Sequence, residues 1–153
     1  LTAVAFGLGA LACVPSDLRE RHASRVEVYL SPPDAPEDAA FAKPQRTLGA
    51  PDGRTLAIPR GSFVVVRFFR PIPEGPGPDL RVYELGPDGA RARVAVSADG
   101  SAYFELSQVA EGPTTDLDFA ESGLAVVTHV RIRGLDDAGT EPGFDLDALE
   151  ALQ

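Results

Sequence analysis

Arg91-Ala92-Arg93-Val94-Ala95-Val96-Ser97-Ala98-Asp99-Gly100-Ser101-Ala102-Tyr103-Phe104-Glu105-Leu106 is the stretch that decides the fold. Val94 and Val96 fall on one side of an extended chain, and Arg91 and Arg93 on the other. That period of two marks a strand with one face buried. Asp99-Gly100 then turns the chain into a second extended segment over residues 102–106. Asp-Gly suits a tight hairpin, whose central residues need positive φ. Two strands joined by so short a turn are antiparallel.

The same period recurs on either side. Residues 24–30 place Val26, Val28 and Leu30 on one face and Arg25, Glu27 and Tyr29 on the other. Residues 62–70 carry Val64, Val66 and Phe68 on a charge-free face. Phe63, Val65 and Phe69 form their other face, interrupted by Arg67, which predicts a central strand covered on both sides. Further strands are expected at 56–58, at 80–85 and at 124–133, the last with Val126, Val130 and Ile132 inward. Residues 144–152 also fit a helical turn through Leu146, Leu149 and Leu152. A strand is the favoured reading, because closing strands pair with early ones in sandwiches. Residues 31–46, 71–78 and 108–123 read as loops, and Asp88-Gly89 as a further turn. About eight short strands with turns between them predict an all-β chain, an antiparallel β-sandwich of jelly-roll type.

Bulk composition narrows the function. The chain has 153 residues, enough for one domain with a real core. Its 15 Gly and 14 Pro break long elements and agree with short strands. The formal charge is −9, Lys43 is the single lysine, and no basic run occurs. A nucleic-acid reader needs a positive surface to displace counterions from phosphate, so that class is excluded.

The first residues read as an address. Residues 3–12 are small, apolar and uncharged, and shorter than the roughly 20 residues that span a bilayer. Residues 1–12 therefore fit a truncated signal peptide, 13–23 a tether, and 24–153 the sandwich domain. Leu8-Gly9-Ala10-Leu11-Ala12-Cys13 resembles a bacterial lipobox. That resemblance implies a diacylglycerol on Cys13, which would be the mature N-terminus and the only membrane contact. The other reading is an ordinary cleaved signal peptide with an incidental cysteine. Either way the chain is expected to be secreted, and with the lipid it is anchored to a bacterial envelope membrane or cell surface.

Acidic turns are the candidates for chemistry. Asp52, Asp79, Glu84, Asp145 and Asp147 lie at or near Gly- and Pro-rich turns. Calcium takes about six to eight oxygen ligands from carboxylates, carbonyls and water. Asp145 and Asp147 share one face of a strand and can meet one cation; Asp52 and Asp79 are the best partners for them. The competing reading is that turn aspartates accept hydrogen bonds from their own backbone. For Asp88 and Asp99, hairpin formation suffices. Catalysis has the least support. There is no Gly-x-Ser-x-Gly elbow, Ser62 opens a strand, and His22 and His129 are isolated in sequence.

Several blocks together resemble bacterial secreted cell-surface proteins with a discoidin-like, galactose-binding-like domain. They are Leu48-Gly49-Ala50-Pro51-Asp52-Gly53, Gly77-Pro78-Asp79-Leu80-Arg81-Val82-Tyr83-Glu84, Val94-Ala95-Val96-Ser97-Ala98-Asp99-Gly100, Val130-Arg131-Ile132 and Gly143-Phe144-Asp145-Leu146-Asp147-Ala148. The resemblance covers residues 47–152. It implies a β-sandwich, a structural calcium, and a carbohydrate or surface-protein partner bound by loops at one end. The chain departs from sugar-binding relatives in having no Trp and only Tyr29, Tyr83 and Tyr103. A second reading is therefore a structural surface lipoprotein with protein partners only.

Overall fold

The structure, a computed structural model, describes residues 20–31, 43–86, 89–137 and 142–153. The proposed lipidation residue Cys13, the signal segment and Asp88 lie outside them. The described residues form nine strands in two antiparallel sheets. The five-stranded sheet runs β1 (Ala23–Leu30), β3 (Phe63–Pro73), β8 (Val126–Gly134), β5 (Arg91–Ser97), β6 (Phe104–Glu111). The four-stranded sheet runs β2 (Leu56–Ile58), β9 (Phe144–Ala151), β4 (Leu80–Glu84), β7 (Thr114–Leu117). This is the all-β sandwich that the alternation predicts.

One apolar cluster fills the space between the sheets. Val64, Val66, Phe68, Val94, Val96, Val130 and Ile132 come from one side, and Leu56, Ile58, Leu80, Val82, Phe144, Leu146 and Leu149 from the other. Each is at most 1% exposed. Burying such a side chain fully is worth about 1.5–3 kcal/mol, so this layer drives the fold. The closing segment is a strand, not a helix: β9 pairs with β2 on one side and β4 on the other.

Several expectations need correction. In β1, register shifts between Ala23 and Arg25 and between Val26 and Val28 break the alternation. An extra residue in one strand moves its successors to the other face. Val26 and Tyr29 pack on the core, whereas Val28 and Leu30 are exposed. β3 runs on through residues 71–73, which read as loop, with an irregularity between Arg67 and Ile72. Its outer side is covered only in part: Val65 is 4% exposed, but Phe69 is 72% exposed. Residues 108–123 are not one loop: β6 extends to Glu111, Gly112 turns at φ +76°, and β7 follows. In β8 the irregular stretch of β3 brings Val127 inward against Ile72 and leaves Val126 40% exposed. The β5–β6 connection is longer than a tight hairpin. Gly100 takes φ +80° while Asp99 stays in the ordinary region, and β6 starts at Phe104.

The long edge of β9 shows how the sandwich closes. β2 covers it only over Phe144, Asp145 and Leu146. Farther along, His22 bridges Glu150, and the Ala151 N–H donates to the Arg21 carbonyl at 2.6 Å. The last residues assigned to the tether are thus already part of the domain, and β1 begins at Ala23. An open strand edge is a template for mispairing, and this one is capped by the chain itself. Near the start of β9 the two sheets touch through backbone. A Cβ on Gly134 or Gly143 would overlap the Ile58 carbonyl, so glycine is needed at both.

Candidate binding site

The four-stranded sheet carries the acidic residues. Asp145 and Asp147 project from β9 away from the apolar layer, and Glu84 ends β4 beside them. A Cβ on Gly86 would lie 3.1 Å from Glu84 Oε1 and 3.5 Å from Asp145 Oδ2, so both carboxylates face the same glycine. The loop carrying Asp52 folds over this face. Asp52 N–H donates to Asp147 Oδ1 at 3.2 Å, and Gly53 N–H to Asp147 Oδ2 at 3.3 Å. Gly53 provides the turn with φ +80°. Asp52 turns its own carboxylate to Arg54, whose side chain and backbone hydrogen bonds hold it below the usual carboxylate range.

Asp79 is elsewhere. Leu80 pairs with Ala151 and Glu84 with Leu146, so Asp79 sits at the far end of β9 from Asp145. Six residues of extended chain span about 20 Å. Asp79 is fully buried and accepts from Gly75 N–H at 2.9 Å and Phe119 N–H at 3.1 Å. Its carboxylate ties the β3–β4 loop to the exit of β7. The structure therefore gathers three of the four candidate ligands, Asp52, Asp145 and Asp147, adds Glu84, and leaves out Asp79.

The gathered set does not form a ready calcium cage. Both oxygens of Asp147 accept backbone N–H groups, and those of Asp52 accept from Arg54. Among the described residues no three His, Cys, Asp or Glu side chains are arranged to hold a metal ion. Capping of backbone donors explains Asp52, Asp79 and Asp147 in this geometry.

The five-stranded sheet presents the opposite charge. Arg25 and Arg67 face each other across β1 and β3, and Arg93 and Arg133 across β5 and β8. Arg91 and Arg131 complete a row of six on a chain of charge −9. Glu105 lies between Arg93 and Arg133, 3.6 Å and 3.1 Å away. The β5–β6 connection curls over the same face. Tyr103 covers the Arg131 guanidinium at 5.0 Å, and Gly100 sits so close to His129 that a Cβ would meet its ring. His129 is thus packed under the connection, with Nδ1 2.7 Å from Thr128 Oγ1. Asp99 holds the connection's shape, accepting from Ser101 N–H at 2.9 Å, Ala102 N–H at 3.4 Å and Ser97 Oγ. These bonds, Ser101 first, pull its pKa down to about 2.

At the β1 edge, Ser24, Arg25, Arg67, Phe68 and Phe69 line a shallow cleft of about 280 Å³. Sequence reasoning missed it. Arg67 stood out only as an interruption of an apolar run, and its neighbour Arg25 is set by strand pairing across 42 residues.

Neither a family model nor a curated protein matches the sequence. Among solved structures, chitosan-binding module 1 derived from a chitosanase/glucanase of Paenibacillus sp. IK-5 aligns with TM-score 0.56 and 16% identity, covering 89% of this chain and 98% of that one. CBM32 of AlyQ in complex with 4,5-unsaturated mannuronic acid aligns with TM-score 0.49 and 10% identity, over 86% and 98%. The chain therefore shares the β-sandwich fold of that chitosan-binding module along nearly the module's whole length.

Proposed function

We propose that this chain is a non-catalytic carbohydrate-binding module of a secreted bacterial surface protein. The observation that carries the reading is the fold, matched over 98% of a module that binds chitosan. The exposed five-stranded face supports it by offering an arginine-lined surface to a ligand. Retention of the chain in gels cast with a panel of polysaccharides tests it. Unretarded migration in every gel, with and without calcium, would sink it. The absence of Trp favours the second reading, a surface protein with protein partners only.

Calcium belongs to the same proposal in a narrower form. Glu84 and Asp145, 2% and 8% exposed and facing one glycine, are two carboxylates in a poorly solvated place. A divalent cation there would take oxygens from both, with carbonyls and water completing its shell. A ligand that binds only the folded state raises the melting temperature as its concentration rises. The expected result is a rise with calcium that Glu84→Gln abolishes; an unchanged melting temperature after chelation removes the metal. The lipid at Cys13 is tested by labelling with a palmitate analogue, which Cys13→Ala should prevent.

A further inference from the structure

We propose that the cleft at the β1–β3 edge is a uronate site, with the sugar carboxylate between Arg25 and Arg67 and the ring laid on Phe69. This rests on the carbohydrate reading and names the ligand class. Arg25 and Arg67 are direct cross-strand neighbours, and like charges so placed disfavour each other. The same face shows how the protein resolves such a pair. Arg93 and Arg133 are also direct neighbours, and the Glu105 carboxylate lies between them. Arg25 has Glu27 at 3.5 Å, but among the described residues no carboxylate lies within 4 Å of Arg67. The first pair is thus built like the second, with the position of the bridging carboxylate left open on the Arg67 side.

Phe69 supplies the other half of the recognition. It lies two residues after Arg67 in β3, lines the same cleft and is 72% exposed. A flat apolar ring next to a guanidinium fork matches a pyranose that has a C–H face and a carboxylate. Guanidinium presents paired N–H donors in the plane a carboxylate accepts, which favours a uronate over a neutral sugar. The cleft's 280 Å³ is at the small end for ligand sites, suited to one ring rather than a length of peptide. The net charge of −9 does not forbid an acidic ligand. Fields from exposed charges fade over about 8 Å at physiological salt, and this face carries six arginines against Glu27, Glu105, Glu111 and Asp136.

The test is calorimetric titration of the full chain with a galacturonate tetramer, the neutral galactose tetramer and poly-glutamate. The uronate should bind, and more weakly as salt rises. Arg67→Ala should weaken it about tenfold or more through lost charge-assisted hydrogen bonds. Phe69→Ala should weaken it by several-fold, while Arg91→Ala, on the same face but paired with Asp136, should stay within about twofold. Arg67, Phe69 and Arg91 are exposed, so an unchanged melting temperature certifies the fold of each variant. Binding of the neutral sugar with no loss in Arg67→Ala overturns this site and leaves the carbohydrate reading standing. No binding of either sugar overturns the uronate site, while the carbohydrate reading is decided separately by the polysaccharide gels. Poly-glutamate bound more tightly than the uronate, with the same loss in Arg67→Ala, makes the partner a protein and overturns the uronate.

Discussion

The outer sides of the two sheets differ in both charge and exposure. On the four-stranded side, Asp145 and Asp147 are 8% and 4% exposed, and the Asp52–Gly53 turn is bonded to Asp147. On the five-stranded side, Arg25, Arg67, Arg91, Arg93 and Arg133 all remain exposed or nearly so, and Phe69 stands 72% clear. The few buried acids, Asp79 and Asp147 among them, act as internal ties, whereas the arginines of the five-stranded sheet stay at the surface. Net charge is therefore a poor guide to what this molecule offers a ligand. A buried carboxylate answers to a few backbone donors, and an exposed guanidinium to whatever arrives.

That contrast can be broken or sharpened by substitution. The largest effect should come from Asp79→Ala. It leaves the N–H groups of Gly75 and Phe119 without their acceptor beside a fully buried position, at a loss of about 3 kcal/mol. Urea denaturation measures it, and a loss below about 1 kcal/mol would mean that these acids are not structural. Asp147→Ala should follow at about 2 kcal/mol, with the Asp52 and Gly53 amides exchanging faster with solvent. Unchanged exchange there would separate the loop from β9.

Effects on the arginine side should be smaller. Glu105→Ala leaves Arg93 and Arg133 opposed without their shared carboxylate, and a loss of about 0.5–1 kcal/mol is expected for these part-exposed groups. Asp99→Ala should lower the melting temperature only where the carboxylate is charged. Its folded pKa of about 2 lies below the ordinary aspartate value of 3.8, so its contribution is present above pH 4 and is lost as pH falls through 2. The wild-type and variant melting curves should converge over that window; a constant gap would show that something other than the charge is at work. Smallest of all, Arg67→Ala should alter stability by no more than about 0.5 kcal/mol. A larger loss would show that Arg67 belongs to the structure rather than to the surface.

The hairpin arms at residues 91–106 were legible because one side of each faces the core, so the period of two survives. β1 was placed correctly, but its facing was not, since a bulge shifts the register without leaving a mark in composition. β7 reads Thr114-Thr115-Asp116-Leu117 and offers only two inward residues at a sheet edge, too few to reveal alternation. The acidic turns were visible as residues but not as a site. Whether Asp79 joins Asp145 depends on β4 running antiparallel to β9, which carries the two to opposite ends. Pairing over such distances is decided by the packed core, not by local spacing.

Chain entry and exit have a mechanical consequence. Arg21 and His22 are hydrogen-bonded to the last residues of β9, and Leu152 N–H donates to the Asp79 carbonyl at 2.8 Å. Tension on the segment preceding Arg21, directed along the strands, is shared first with β9 and then with the whole β1–β3 ladder, whose bonds are loaded in parallel as in a sheared joint. Peeling them one at a time would require a sideways pull. A pull at Arg21 is thus met by hydrogen bonds of both sheets before either can open.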